Sequence, residues 1–200
     1  MRAATLERVL ETLAEAVREC GKVIDRAKLS EDEDYIDAVV DDECEVLESI
    51  VGTAFVAAQT EITRVKTHIQ RIHSCAKRDG HILKSSNGTK SGILKLGSPP
   101  GVEYSKVQLI DAFANYFKHR DDNQWRLPWT EIDPKAQAKQ TAVLITAAGA
   151  QEGSSGNLRS GLESLGIDYE DLIGLHKEVT AWAKAVAETY EGELKALKLL

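Results

Sequence analysis

The apolar residues between Asp34 and Ala76 keep helical spacing almost without interruption, and no other feature of this 200-residue chain restricts its fold as strongly. At 3.6 residues per turn the repeat runs for about twelve turns. It predicts one very long helix, or two helices broken near Gly52, because glycine is a poor helix former. The apolar positions are Ile36, Val40, Leu47, Ile50, Ala54, Ala58, Ile62, Val65, Ile69, Ile72 and Ala76.

The same spacing predicts further helices on both sides of this long element. Ser30 and Glu33, which precede it, resemble a capping box. The last helix is expected to pack along the long second helix or against another subunit. Helices are predicted at about residues 5–27, from near Ser105, at about 134–148 and at roughly 171–199. The chain is therefore predicted to be an all-α, long-helix bundle.

Residues 81–96 differ from the rest, because short β-prone stretches flank the dipeptide Asn87-Gly88. Both residues tolerate the positive φ of a tight turn, so the segment predicts a small β-hairpin insertion. The Gly- and Ser-rich residues 149–161 lack the Lys-Ser/Thr ending of a phosphate-binding P-loop and are interpreted as a flexible connection. The whole of residues 1–200 is expected to be a single domain.

The net charge of −7 argues against indiscriminate nucleic-acid binding, but the charge is unevenly distributed. Residues 64–95 contain eight basic side chains and one acidic one, whereas residues 1–63 contain six basic and sixteen acidic ones. A local basic surface that binds a polyanion is therefore compatible with the net negative charge of the whole protein. The candidate RNA- or nucleotide-binding residues are Arg64, Arg71, Lys77, Arg78, Lys84, Lys90 and Lys95.

Cys20, Cys44 and Cys75 are odd in number and far apart, without a C-x-x-C pair. They predict neither a disulfide framework nor a thiolate zinc site. The sequence also lacks the apolar core of a signal peptide and any apolar run of membrane-spanning length. We expect a cytoplasmic protein without membrane contact, and no cofactor or metal is indicated.

The densest set of side chains suited to catalysis lies in residues 113–125, FANYFKHRDDNQW, where a core-like helix ends in polar residues. Asp111, Asn115 and His119 recur every four residues and so form one ridge on that helix, with Lys118 and Asp122 beside it. Histidine is the usual general acid or base of proteins, so His119 with Lys118 and Arg120 forms a candidate set for phosphodiester cleavage without a metal.

The long-helix arrangement of residues 34–125, with a late helix ending in Asn115-Tyr-Phe-Lys-His119, resembles the HEPN superfamily of helical toxins, defence nucleases and their inactive relatives. In active HEPN ribonucleases an arginine precedes the histidine by four to six intervening residues, whereas here Ala114 occupies the arginine position. The resemblance implies a bacterial defence or toxin–antitoxin system and a homodimer.

Three functional interpretations follow from these patterns. The first is a non-catalytic HEPN-like module that binds RNA, a nucleotide or a partner protein through the basic residues 64–95. The second is a metal-independent endoribonuclease, in which His119 is the acid or base, Lys118 and Arg120 hold phosphate, and Asn115 and Asp111 orient the imidazole. The third is a structural, dimerising helical protein without a ligand site.

Overall fold

The computed structural model describes residues 3–199 and contains seven α-helices over that range. Two short 3-10 turns, Ser85–Gly88 and Asn123–Arg126, lie in the connections. The all-helical class predicted from the sequence is thus confirmed. The helices are α1 (Ala3–Ala27), α2 (Glu33–Arg78), α3 (Lys90–Lys95), α4 (Lys106–His119), α5 (Gln137–Ala147), α6 (Asn157–Leu165) and α7 (Ile173–Ala196).

Helix α2 is one continuous element of 46 residues, so the alternative of two helices broken near Gly52 is wrong. Its N-cap is Asp32, whose side chain accepts the Tyr35 backbone N–H at 3.1 Å. The predicted capping box of Ser30 and Glu33 is therefore replaced by an Asp cap, and the Ser30 hydroxyl instead accepts the backbone N–H of Asp32.

The core forms where α1, α4 and α7 pack on the long α2 helix. α1 is joined to α2 by a short turn and folds back along its first half, as expected for an antiparallel helical hairpin. α7 also contacts α2, which confirms one of the two predicted positions of the last helix. The largest fully buried side chains include Leu10, Phe55, Ile62, Ile110, Phe113, Leu162, Leu172 and Tyr190.

The predicted β-hairpin at residues 81–96 is wrong, since no strand occurs in residues 3–199. Asn87 and Gly88 do have positive φ values, but Ser86 has one too, so the chain coils into a 3-10 turn rather than a two-residue hairpin loop. Thr89 then caps α3 by accepting the Gly92 backbone N–H at 3.1 Å. The capped residues form a short helix that buries Ile93 in the core.

The segment after α4 is held to the bundle by aromatic packing. Trp125 and Trp129 pack edge-to-face with each other and with Tyr116, with ring centroids 5.2–6.3 Å apart. Both indoles are half-buried, and they also contact a small apolar cluster around Ile132. Such packing is that of loop anchors.

The Gly- and Ser-rich residues 149–161 fall partly in α6, which begins at Asn157. The Asn157 side chain is 1% exposed and exchanges hydrogen bonds of 2.8 Å with both backbone groups of Gln151. It thereby closes the turn that precedes α6. No helix among residues 3–199 combines the length and apolarity needed to cross a membrane.

Candidate functional site

Helix α4 carries the predicted catalytic ridge, and its start is set by a complete capping box. The Ser105 hydroxyl accepts the Gln108 backbone N–H at 3.0 Å, and the Gln108 side chain accepts the Ser105 backbone N–H at 3.0 Å. The helix begins within one residue of the predicted position. Its first three turns are buried on nearly every side, so even Asp111 and Asn115 are only 8% exposed.

Asp111 and Asn115 belong to a buried polar cluster, which we define as Gln59, Lys90, Asp111 and Asn115. The Gln59 side-chain amide donates to Asp111 Oδ1 at 3.0 Å and to Asn115 Oδ1 at 2.9 Å. The Asn115 amide donates to Asp111 Oδ2 at 3.3 Å, and Lys90 Nζ lies 2.6 Å from the same oxygen. The cluster joins α2, α3 and α4 through groups that are already paired.

His119 lies outside the buried polar cluster, at the exposed end of α4. Its side chain is 54% exposed, and Nδ1 lies 3.1 Å from Asp122 Oδ2. The imidazole is thus oriented by Asp122, which the helical spacing predicted beside the ridge, while Asp111 and Asn115 bond to Gln59 and Lys90. The three ridge residues share a helix but not a common site.

The two cations beside His119 also have different surroundings. Lys118 is exposed and forms no ion pair with the described residues. Arg120 turns back toward the bundle, where its guanidinium lies 5.0 Å from the Phe117 ring centre and 3.6 Å from a carboxylate oxygen of Glu48. Of the two, only Lys118 is available for a phosphate without breaking an existing contact.

Glu48 is the carboxyl group whose ionisation is most strongly affected by the fold. Burial raises its pKa to about 7, although the Arg120 guanidinium and the Leu158 backbone N–H act in the opposite direction. Its side chain is 17% exposed. The group is therefore partly protonated at neutral pH, next to the segment that carries His119.

Glu48 should make the protein less stable as the pH rises. A folded-state pKa above the unfolded value means that the contribution of Glu48 is fully present below about pH 4.5 and is lost as the pH passes 7. Because Gln mimics the neutral acid, the stability of Glu48→Gln relative to wild type should increase by on the order of 2 kcal/mol between these limits. Urea unfolding at several pH values measures the difference.

Exposed Glu163 provides the control for the Glu48 experiment. It pairs with Arg159 on the surface of α6, and both side chains are more than 60% exposed. Glu163→Gln should therefore show nearly the same pH dependence as wild type. A Glu48→Gln curve that also runs parallel to wild type from pH 4 to 8 would contradict the raised pKa of Glu48.

The basic residues predicted to bind a polyanion divide between two sides of α2. Arg64, Arg71 and Arg78 are seven residues apart and so lie along one stripe. Lys77 lies on another side, four residues beyond His73, the residue that the 84–88 turn approaches. Lys84, in that turn, and Lys95, at the end of α3, are exposed, whereas Lys90 is paired with Asp111.

The turn that carries Lys84 is clamped to α7. The backbone N–H groups of Lys84 and Ser85 both donate to the Glu193 carboxylate, the second at 3.2 Å. Burial alone would raise the pKa of Glu193, but the Ser85 side chain and the two N–H groups outweigh it, and the net shift is downward. A charged carboxylate therefore holds the start of the turn.

Tyr190 holds the other half of the same turn. Its hydroxyl donates to the Ser85 carbonyl at 2.7 Å and lies 2.5 Å from the Ser86 hydroxyl and 2.7 Å from His73 Nε2. The phenol is 2% exposed, and burial raises its pKa. These contacts stabilise three consecutive positive-φ residues, Ser86, Asn87 and Gly88. The turn is a fixed feature of the surface rather than a projecting arm.

Sequence reasoning did not identify Gln59, Tyr190 or Glu193 as important. Gln59 had a detectable signal, because it is a single polar residue at a buried position of an otherwise apolar helical repeat. Glu193 had none, since its partners lie more than a hundred residues earlier in the chain.

Comparison of the chain with models of protein families, with characterised proteins and with solved structures finds no match. The class that the structure itself defines is an all-helical bundle built on one long helix. Two of its features bear on function, the divided ridge of α4 and the basic turn held by α7.

Proposed function

We propose that this protein is a non-catalytic, HEPN-like RNA-binding module of a bacterial defence or toxin–antitoxin system. The observation that carries the proposal is the lysine surface, defined as Lys77, Lys84 and Lys95, whose side chains are exposed and form no ion pair with the described residues. The defence setting rests on the resemblance of residues 34–125 to the HEPN superfamily alone.

A small basic surface can bind RNA on an acidic protein because salt limits the range of electrostatic forces. At physiological ionic strength the screening length is about 8 Å. Fourteen of the 32 acidic residues precede Glu48, in α1, the α1–α2 connection and the first half of α2. By contrast, Lys77 lies near the far end of α2, more than about 40 Å along the helix from its acidic first turns. The carboxylates of those first turns therefore contribute little to the potential near Lys77.

The clamped turn supports binding because it reduces the entropic cost of association. Lys84 is attached to a backbone that Glu193 and Tyr190 already hold in place. An anchored backbone loses less conformational freedom when its side chain meets a phosphate. Lys90 should contribute less than Lys84 or Lys95, since its ammonium group already bonds to Asp111 at 2.6 Å.

The arrangement on α4 favours binding over cleavage. Asp111 and Asn115 are committed to the buried polar cluster, and Arg120 lies against Glu48. The groups that were expected to orient the imidazole and to hold phosphate are therefore occupied elsewhere. A ribonuclease reaction would need to assemble around His119 with Lys118 as its only adjacent cation free of an ion pair among the described residues.

Reversing two charges of the lysine surface should weaken RNA binding. In fluorescence anisotropy with labelled oligouridylate, Lys84→Glu/Lys95→Glu should raise Kd by about tenfold or more. Each lost phosphate contact should also reduce the salt dependence, by about 0.7 in the slope of log K against log salt. The matched control is Lys22→Glu/Lys28→Glu, which makes the same charge change on and after α1. Equal Kd values for the two variants would contradict the proposal.

The His119–Asp122 contact is the one observation that favours the ribonuclease alternative, because a carboxylate orients the imidazole. The same RNA, incubated without divalent metal, separates the two functions. Under our proposal wild type and His119→Ala bind RNA equally and leave it intact. Cleavage by wild type that His119→Ala abolishes, with an unchanged circular dichroism spectrum, would replace the binding function by the catalytic one.

A further inference from the structure

The turn that carries Lys84 contains the one Asn-Gly pair of the chain, Asn87-Gly88. The other three asparagines precede tyrosine, glutamine and leucine. Asparagine is a thermolabile residue, because its side-chain amide carbon can react with the backbone nitrogen of the residue that follows. A following glycine hinders this reaction least, since it has no Cβ atom. Asn87 is also exposed, so its side chain is accessible to water and has the setting of a deamidation site.

Deamidation at this pair needs no reactant other than water. The Gly88 backbone nitrogen attacks Cγ of Asn87, a C–N bond forms, and the bond from Cγ to the side-chain nitrogen breaks. The proton of the Gly88 nitrogen leaves with that amide group as ammonia. Water then opens the five-membered succinimide ring at either carbonyl, which gives aspartate or isoaspartate. At neutral pH the new carboxyl group is ionised, so each product carries one negative charge that asparagine lacks.

The backbone conformation of Asn87 keeps the two reacting atoms apart. The succinimide ring is nearly flat, so it forms only when the Gly88 nitrogen eclipses Cβ of Asn87 about the Cα–C bond. With a φ of 51° and a ψ of 19°, that nitrogen instead nearly eclipses the Asn87 nitrogen. The planar peptide unit between Asn87 and Gly88 must therefore rotate by well over a right angle before the reaction begins.

That rotation would break the contacts that close the turn across Asn87. The Thr89 backbone N–H donates to the Ser86 carbonyl at 3.2 Å, and it is displaced when the preceding peptide unit rotates. Gly88 has a φ of +68° and lies against the His73 ring of α2, where an added Cβ atom would be 3.2 Å from the ring. Glycine suits both this conformation and this contact, so the fold that keeps Asn87 unreactive also favours the labile pair.

Two residues of α7 hold the start of the turn. The Tyr190 hydroxyl donates to the Ser85 carbonyl at 2.7 Å, and the Glu193 carboxylate accepts the backbone N–H groups of Lys84 and Ser85. Tyr190 is 2% exposed, so water competes weakly for its hydroxyl. With both ends of the turn held, the peptide unit after Asn87 rotates only when the turn opens locally and breaks hydrogen bonds to α7.

We propose that Asn87 is a deamidation site whose reaction is held back by the Tyr190 and Glu193 contacts and proceeds only when the turn opens. The reaction is irreversible, because ammonia is lost. Isoaspartate also adds one carbon atom to the backbone, so this product cannot restore the spacing between the Ser86 carbonyl and the Thr89 N–H. Deamidation therefore adds a negative charge to the turn and, in the isoaspartate product, alters its backbone permanently.

Prolonged incubation of the full chain tests the proposal. Trypsin releases residues 85–90, SSNGTK, and mass spectrometry separates this peptide from its acid forms. Folded wild type should deamidate at Asn87 about tenfold or more slowly than a capped synthetic peptide of residues 81–93, which lacks α7. Tyr190→Phe and Glu193→Ala should each raise the rate in the full chain by about threefold or more, since each removes hydrogen bonds to the turn.

Each of the two variants has a matched control. Tyr169→Phe removes the hydroxyl of an exposed tyrosine that packs on Arg159, and Glu191→Ala removes a carboxylate of α7 that pairs with Lys195 at 2.5 Å. Their partners lie outside the turn, so both controls should deamidate at the wild-type rate. Circular dichroism spectra show which variants are folded, and Glu193→Ala carries the test if Tyr190→Phe does not fold.

Three results would overturn the proposal. They are a folded wild type that deamidates as fast as the synthetic peptide, Tyr190→Phe and Glu193→Ala variants that both keep the wild-type rate, and control variants that are accelerated as much as these two.

The added charge should also weaken RNA binding, an effect that rests on the proposed function. Asn87→Asp reproduces the charge of the product, and aspartate, like asparagine, tolerates a positive φ. In the anisotropy assay it should raise Kd by about threefold, because the carboxylate lies in the same turn as Lys84. Asn123→Asp, at an exposed position between α4 and α5, is the matched control. Equal Kd values would contradict this effect alone, since the incubation without RNA tests the deamidation separately.

Discussion

Replacing Gly52 with alanine is expected to destabilise the protein, although alanine is the better helix former. A Cβ atom at position 52 would lie 2.1 Å from the Phe117 ring, far inside contact distance, and the nearest atoms include the base of the ring. Phe117 would have to move away from α2 and from the Arg120 guanidinium that lies over its ring. Overpacking of this kind costs about 1–3 kcal/mol, more than the gain in helix propensity of about 1 kcal/mol.

The control for this prediction is Gly21→Ala in α1. A Cβ atom there has nothing within 4 Å, so the substitution should raise the free energy of unfolding by about 0.5–1 kcal/mol. Urea denaturation of both variants measures the contrast. A Gly52→Ala variant as stable as Gly21→Ala would show that α2 and α4 do not approach each other closely at Phe117.

Removing the Asp111 carboxylate is expected to cost on the order of 3 kcal/mol of unfolding free energy. The side-chain amides of Gln59 and Asn115 both donate to it, and both residues are more than 90% buried. In Asp111→Ala these donors lose their acceptor in a place that water reaches poorly. The Lys90 ion pair is also lost, but its side chain is 44% exposed, so solvent recovers most of that energy.

Asp122→Ala provides the matched control, because it removes the same chemical group near the end of the same helix. Asp122 is 61% exposed and contacts only the exposed His119, so its loss should change stability by no more than about 0.5 kcal/mol. Thermal and urea unfolding compare the two variants. Equal effects would mean that Asp111 is not held in the buried polar cluster.

The turn at residues 84–88 shows which structural features the local sequence can predict and which it cannot. Asn87-Gly88 correctly predicted positive φ values, because that preference belongs to the residues themselves. Whether the turn joins two strands depended on partners for the flanking backbone N–H and carbonyl groups. Those partners are Glu193 and, through its hydroxyl, Tyr190, on a helix near the other end of the chain. No local pattern identifies them.

The ridge of α4 shows the same limit at the candidate site. The four-residue spacing correctly placed Asp111 and Asn115 side by side, and they bond to each other. It also suggested His119 as the third member. Each step of four residues turns a helix by about 40°, so His119 lies about 80° from Asp111. The Gln59 side chain of α2 bonds only to Asp111 and Asn115, and α4 ends at His119.

The sequence by itself determined the longer helices and the uneven distribution of charge, but not the short helices α3 and α6. Helical spacing, Ser105 as a cap and the basic stretch 64–95 are properties of neighbouring residues, which the folded chain cannot rearrange. Only the tertiary structure decided which polar groups are paired, since burial and hydrogen bonding depend on the helices that meet at each point. It placed Asp111 with Gln59, Arg120 with Glu48, and left Lys84 and Lys95 facing solvent.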